Sequence, residues 1–230
     1  MECDTKYPNI HKGIFLSRPN RFIAEVEVGG RTEICHVKNT GRCKELLVPG
    51  ATVYVNYTDK PQRLTKYDLV TVEKGSLLIN MDSQAPNRAF EEYVRQGGFF
   101  ADVEHIKAEA RFGASRFDFY IETSDAKVFV EVKGVTLEEN GVAMFPDAPT
   151  ERGVKHLNEL AGCIADGYDA YVVFVIQMKG ISYFTPNKKT HALFGEALGN
   201  AIGRGVNAKA YECEVSPDKM IIGNPIPIRL

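Results

Sequence analysis

The stretch RFDFYIETSDAKVFVEVKG, residues 116–134, decides the fold. Two runs rich in aromatic and β-branched residues, Arg116–Thr123 and Val128–Gly134, flank the polar turn Thr123-Ser124-Asp125-Ala126. A hairpin centred on Ser124-Asp125 sets Ile121 opposite Val128, Phe119 opposite Val130 and Phe117 opposite Val132, and it sets Asp118 opposite Glu131. The three apolar pairs share one sheet face. A slip of one residue would turn them to the other, so the register is well specified. The run before it, His105–Phe112, returns through Gly113-Ala114. It brings Ala110 to Phe117, Ala108 to Phe119, Ile106 to Ile121 and Glu109 to Asp118. Across three strands one row then reads Glu109, Asp118, Glu131, and the next reads Arg111, Arg116, Lys133.

Stability alone does not favour such rows, because like charges directly opposite one another destabilise a sheet. A divalent cation would relieve the acidic row. Carboxylate oxygens are hard ligands suited to Mg²⁺ or Mn²⁺, and the basic row would suit a phosphate. Asp118, Glu131 and Glu109 are the candidate metal ligands. Asp118, Glu131 and Lys133 form the candidate catalytic set. Glu131 and Lys133 are two residues apart on a strand and leave the same face. The lysine can then orient an attacking water or offset charge on the phosphate in the transition state. The pattern points to metal-assisted phosphodiester hydrolysis. The bland alternative is a solvated polar face.

Outward from this stretch the chain reads as two halves, 1–82 and 83–230. The first carries short strands within Gly13–Pro19, Arg21–Gly30, Arg31–Val37, Ala51–Tyr57, Tyr67–Glu73 and Ser76–Ile79, which fit a small barrel. The second reads as mixed α/β in the order αβββαβ. A helix is expected over Arg88–Gln96. Another covers Glu151–Gly167, with Thr150 as its cap. The valine-rich run Tyr171–Ile176 reads as a strand buried on both faces. A helix at His191–Arg204 and a strand at Asn207–Glu214 close the order.

Basic residues outside the row fall in two places. The loop His36–Lys44 offers Lys38, Asn39, Thr40, Arg42 and Lys44 to a phosphate backbone. Arg152 and His156 lie four apart, on one face at the start of a helix, where a phosphate can also sit. Arg111 and Arg116 complete the candidate nucleic-acid contacts. Tyr54, Tyr57 and Tyr67 could stack bases, although such residues more often pack a barrel. Cys43, inside the basic loop, could have a lowered thiol pKa.

The chain has 230 residues, 44% apolar and 25% charged, with net charge −2. That balance belongs to a soluble globular protein and excludes a disordered chain, a collagen and a coiled coil. No apolar run is long enough to span a bilayer. The five cysteines are scattered, with no CxxC pair and no zinc or disulfide framework. A reduced cytoplasmic compartment is expected. No GxxxxGK[ST], GxGxxG or GxSxG motif is present.

Several segments together resemble the sugar fermentation stimulation protein A family. They are Arg116–Phe119, Val130–Leu137, Phe145–Leu157, His36–Arg42 and Pro86-Asn87-Arg88. The resemblance implies an OB-fold-like N-terminal domain and a C-terminal domain similar to PD-(D/E)xK nucleases, whose pattern falls on Asp118, Glu131 and Lys133. It also implies DNA as the favoured partner and a link to sugar utilisation. The expected function is therefore a Mg²⁺- or Mn²⁺-dependent nuclease, as a possible homodimer. The alternative is a non-catalytic DNA-binding regulator of sugar-utilisation genes that keeps the nuclease fold. A weaker third reading is a sugar- or nucleotide-phosphate enzyme using the same metal site.

Overall fold

Alternating apolar residues in the N-terminal half build a closed barrel. The computed structural model describes residues 5–39 and 41–230. The strands are β1 (Ile10–Asn20), β2 (Ile23–Val28), β3 (Arg31–Val37), β4 (Thr52–Tyr57), β5 (Tyr67–Lys74) and β6 (Leu77–Asn80). Their order is β3-β2-β1-β4-β5-β6, and parallel pairing of β3 with β5 closes a five-stranded ring with β6 appended. Phe15, Ala24, Val26, Cys35, Val53, Val55, Leu69 and Val72 fill it, each essentially inaccessible. Thr40, one of the expected phosphate contacts, lies outside the described residues.

The second half is a six-stranded mixed sheet between helices. Its elements are α1 (Ala85–Arg95), β7 (Val103–Phe112), β8 (Ser115–Thr123), β9 (Lys127–Val135), β10 (Leu137–Glu139), β11 (Val142–Phe145), α2 (Glu151–Ala165), β12 (Asp169–Ile176), β13 (Tyr183–Pro186), α3 (Lys188–Gly203), β14 (Asn207–Ser216) and β15 (Lys219–Pro225). The order is β15-β14-β12-β9-β8-β7, with β9, β12 and β14 parallel. Val128, Val130, Val132, Val173 and Val175 meet α1 on one face. Phe129, Val172, Phe174 and Ile176 meet α2 and α3 on the other. Both faces of the central strands are thus covered, so Glu131 is not on a solvated face. Strands β10, β11 and β13 form a small separate sheet that the sequence reading lacked, and β15 is likewise additional.

The hairpin registers agree with the alternation argument. Ile121 faces Val128 and Phe119 faces Val130; Ala110 faces Phe117, Ala108 faces Phe119 and Ile106 faces Ile121. One expected pair departs. Phe117 packs against Phe129 and Phe112 on the α2 side, whereas Phe119 lies on the α1 side. Strand β8 therefore changes face at Asp118.

The junction between the halves is polar and buried. Asp82, fully inaccessible, accepts hydrogen bonds through Oδ2 from Arg88 Nη2 (2.8 Å), Tyr7 Oη (3.1 Å) and Lys38 Nζ (3.4 Å). Lys38 Nζ also lies 3.5 Å from Asp68, which Arg63 grips with both terminal nitrogens. Residues 5–7 cross to the second sheet: Tyr7 N donates to Asp218 O, and Thr5 Oγ1 donates to Met220 O.

Burial pushes the Asp68 and Asp82 carboxyls up, but Lys38, Arg63 and Arg88 outweigh it, and both end below the usual range. Their contribution to stability is complete above the ordinary carboxylate pKa, about 3.9, and is lost as pH falls through the lower folded values. The urea midpoint is expected to hold from neutral pH down to about pH 5 and to drop steeply below about pH 4. Urea titrations across that range check this, and a midpoint still level at the acid end would contradict it.

Candidate active site

Strands β8 and β9 stop pairing just where the carboxylates lie. The ladder ends at Phe119–Val130. Beyond it, the Asp118 side chain takes over from the strand: Oδ2 accepts from the Val132 backbone N–H at 2.8 Å. Oδ1 accepts from Asn87 Nδ2 at 2.8 Å, a residue in the first turn of α1. Asp118 is thus held from both sides and cannot rotate away.

Glu131 leaves the α2 face of β9 and is only 4% exposed. Its Oε1 accepts from Lys133 Nζ at 2.5 Å and faces His156 Nδ1 at 2.5 Å. Arg152 Nε donates to His156 Nε2 at 3.3 Å, so the proton on Nδ1 is directed at Glu131. Glu131 Oε2 is buried with no hydrogen-bond partner among the described residues. Buried polar atoms are rarely left so, and one that is calls for an explanation.

The two carboxylates titrate apart. Burial, with Glu131 nearby, raises the Asp118 carboxyl above its ordinary value despite the Val132, Asn87 and Lys133 contacts. Burial also pushes Glu131 up, but His156 and Lys133 outweigh it, and Glu131 ends below its ordinary value. Adjacent acids pushed in opposite directions are typical of a working site.

Whether Mg²⁺ or Mn²⁺ fits can be read from the donors. Glu131 Oε2 is free, and each Asp118 oxygen accepts a single hydrogen bond where a carboxylate oxygen has room for two. Among the described residues no group of three or more His, Cys, Asp or Glu side chains is set to hold a metal. Two carboxylates suffice for Mg²⁺, which keeps several waters and takes oxygens from substrate phosphates. The donor set fits.

Several expected contacts fall elsewhere. Glu109 does not join the row. Its φ of +57° breaks the strand alternation, and its exposed carboxylate pairs with Arg116 at 2.9 Å. His156 is not free for a phosphate, because it is buried with both ring nitrogens engaged. Lys38 is half-buried and held between Asp68 and Asp82. Asn39 serves its own loop, its Oδ1 accepting from Gly41 N. Arg42, Lys44, Arg111 and Arg152 are exposed. Arg116, Arg152 and Lys155, with Glu151 and His156, line a groove of about 510 Å³. Cys43 is buried and its thiol pushed up to about 12 by burial, the reverse of the expected shift. Tyr54 is tied to Glu73, and Tyr57 and Tyr67 pack edge to face. Sequence reasoning missed Asn87, although Pro86-Asn87-Arg88 was among the segments that carried the resemblance.

Fold and site together define a two-domain protein, an OB barrel joined to a restriction-endonuclease-like domain. Residues 16–81 match the model of the SfsA N-terminal OB domain, and residues 84–219 match that of the sugar fermentation stimulation protein RE domain. The chain belongs to the sugar fermentation stimulation protein (SfsA) family. It is 60% identical over 225 residues to the sugar fermentation stimulation protein homolog of Desulfitobacterium hafniense (strain DSM 10664 / DCB-2), covering 98% of each chain. The homolog from Ruminiclostridium cellulolyticum is 56% identical over 225 residues, 98% of this chain and 100% of the relative. The solved structure of Pyrococcus furiosus SfsA in complex with Ca²⁺ superposes with a TM-score of 0.90 at 31% identity, over 100% of both chains. No helix among the described residues is long and apolar enough to cross a membrane.

Proposed function

We propose that the chain is a metal-dependent nuclease that hydrolyses phosphodiester bonds, with DNA as the favoured polymer. The observation that carries this reading is Glu131: buried, paired through Oε1 alone, with Oε2 bare beside a second carboxylate. Burying a charged group without using all of its hydrogen-bonding capacity costs stability. A site that binds a cation gives that cost a purpose.

Asp118 and Glu131 would hold Mg²⁺ or Mn²⁺, which supplies Lewis acidity and lowers the pKa of water when bound. The Ca²⁺ named with the Pyrococcus furiosus relative supports a hard, oxygen-bound cation. His156 and Lys133 share Oε1, which keeps Oε2 free to face the ion. Lys133 also brings a positive charge to the oxygens of the reacting phosphate, where charge builds up in the transition state. Arg116, Arg152 and Lys155 along the neighbouring groove would hold flanking phosphates.

The regulator that binds without cutting draws on the same trio. Lys133 already offsets the Glu131 charge and His156 donates a hydrogen bond to it, so the site tolerates the absence of an ion. One experiment separates the two. Labelled single- and double-stranded DNA and RNA are incubated with the protein in Mn²⁺, Mg²⁺ or EDTA, with Glu131→Gln in parallel. Cleavage that needs metal and is lost in the variant is the expected result. Intact substrate in every lane, with a retained gel shift, would install the regulator instead.

Asn87 touches the proposed chemistry only through Asp118, which makes it a positioning residue. Loss of such an outer contact typically costs 10–100-fold in metal affinity. Asn87→Ala is expected to raise the Mn²⁺ concentration for half-maximal cleavage by about that 10–100-fold, with cleavage at saturating Mn²⁺ much less affected. An unchanged Mn²⁺ titration would remove Asn87 from the site.

A further inference from the structure

A cavity of about 330 Å³ opens where the barrel loop, the end of β9 and the segment before α2 meet. It takes Asn39 and Gly41 from the first half and Gly134, Asp147 and Gln177 from the second. Its size is that of a small-ligand site. Gly134 directly follows Lys133, so the cavity begins one residue, about 3.8 Å of backbone, from the proposed chemistry.

Gln177 shows what the cavity would take. The residue is 2% exposed. Its Nε2 donates to Asn80 O (2.9 Å), Asp82 O (3.2 Å) and Asn80 Oδ1 (3.3 Å). All three partners are acceptors, which fixes the amide orientation and directs Oε1 away from them. Among the described residues nothing donates to Oε1. It lies 2.6 Å from the point where a Cβ on residue 134 would stand, and Pro86 closes the same point from 2.7 Å, so only a glycine fits beside it. Asp147, half-buried on the same cavity, also accepts no hydrogen bond among the described residues. Met144 and Phe145 give the cavity an apolar wall.

An apolar wall facing unpaired acceptors suits a flat ring that carries N–H groups. We infer that this cavity receives one nucleobase of the bound strand, next to the scissile phosphate, and selects bases with an exocyclic amine over thymine. Gln177 Oε1 and the Asp147 carboxylate accept from that amine. Thymine offers only its ring N3–H, which can serve one of the two and leaves the other bare, and an acceptor left unpaired is what makes such a site discriminate. The inference rests on the nuclease reading above, because it takes a nucleic-acid strand as the occupant.

The test uses the wild-type chain in EDTA, where a metal-dependent nuclease leaves its substrate whole. Fluorescence anisotropy compares an oligothymidylate with the same strand carrying one central cytosine. The cytosine is expected to tighten binding by about tenfold, the size of one good base contact. Asp147→Ala gives up no hydrogen bond among the described residues. It is expected to erase most of that gain, to leave oligothymidylate affinity within about twofold and to keep a native circular dichroism melt. Equal affinity for the two strands, or a gain that survives Asp147→Ala, would overturn the base pocket while leaving the nuclease reading intact. Failure to bind either strand would also overturn the base pocket, and the metal-dependent cleavage assay would still decide the nuclease reading.

Discussion

Asp118→Asn is expected to lower metal-dependent cleavage by about a thousandfold or more, because it removes a proposed metal ligand and with it several kcal/mol of transition-state stabilisation. The same substitution is expected to raise thermal stability. Burial and the neighbouring Glu131 both oppose ionisation of Asp118, so the folded state holds that charge at a cost. An asparagine keeps the shape. It can still accept from the Val132 N–H, and Asn87 can turn its amide to accept from the new Nδ2. A melting curve and a gel assay on one preparation check both halves. An inactive variant with a lowered melting temperature would make Asp118 a structural residue and return the acid pair to packing. The opposite signs are what a site that trades stability for function produces.

Asp82→Ala is expected to produce the largest loss of stability. Asp82 is fully inaccessible and answers three donors, Arg88, Lys38 and Tyr7. Removing it leaves Arg88 without its acid and Lys38 with Asp68 alone, and breaking a buried pair in this way costs about 3–5 kcal/mol. For a chain of this size that is roughly 6–20 °C in melting temperature. Urea denaturation measures it directly. Lys38→Met removes a cation rather than the shared acid and is expected to cost clearly less. A result within experimental error of wild type for Asp82→Ala would mean that the junction's charges are solvated in solution.

Much of this was legible because it is local. Turn position and alternation were enough to set Ile121 on Val128 and Phe119 on Val130, and the valine run of β12 announced its two-sided burial. Glu131 and Lys133 share a face for the same reason. What failed depends on partners far away in sequence. Nothing near Lys38 says that Asp68 and Asp82 will take its charge. Helical spacing shows that Arg152 and His156 share a face, but not that this face closes over Glu131. The row broke at Glu109 because a single residue adopted a left-handed conformation, and the Phe117–Val132 pair was lost because β8 changes face at Asp118. Neither event disturbs the alternation of the letters. The short strands β10, β11 and β13 are held by one another and by the core around Phe184, and three- and four-residue runs carry no period of their own.

The strap formed by residues 5–7 gives synthesis and docking opposite orders. Thr5 bonds to Met220, 215 positions later. At ordinary rates of translation that interval lasts on the order of ten to forty seconds. The barrel strands that follow the strap can close on the ribosome in the meantime, whereas the strap itself stays without its strand until β15 emerges. The earliest of these segments to be made is therefore among the last to be secured. A nascent chain stalled before Met220 should carry a finished barrel and a protease-sensitive leader.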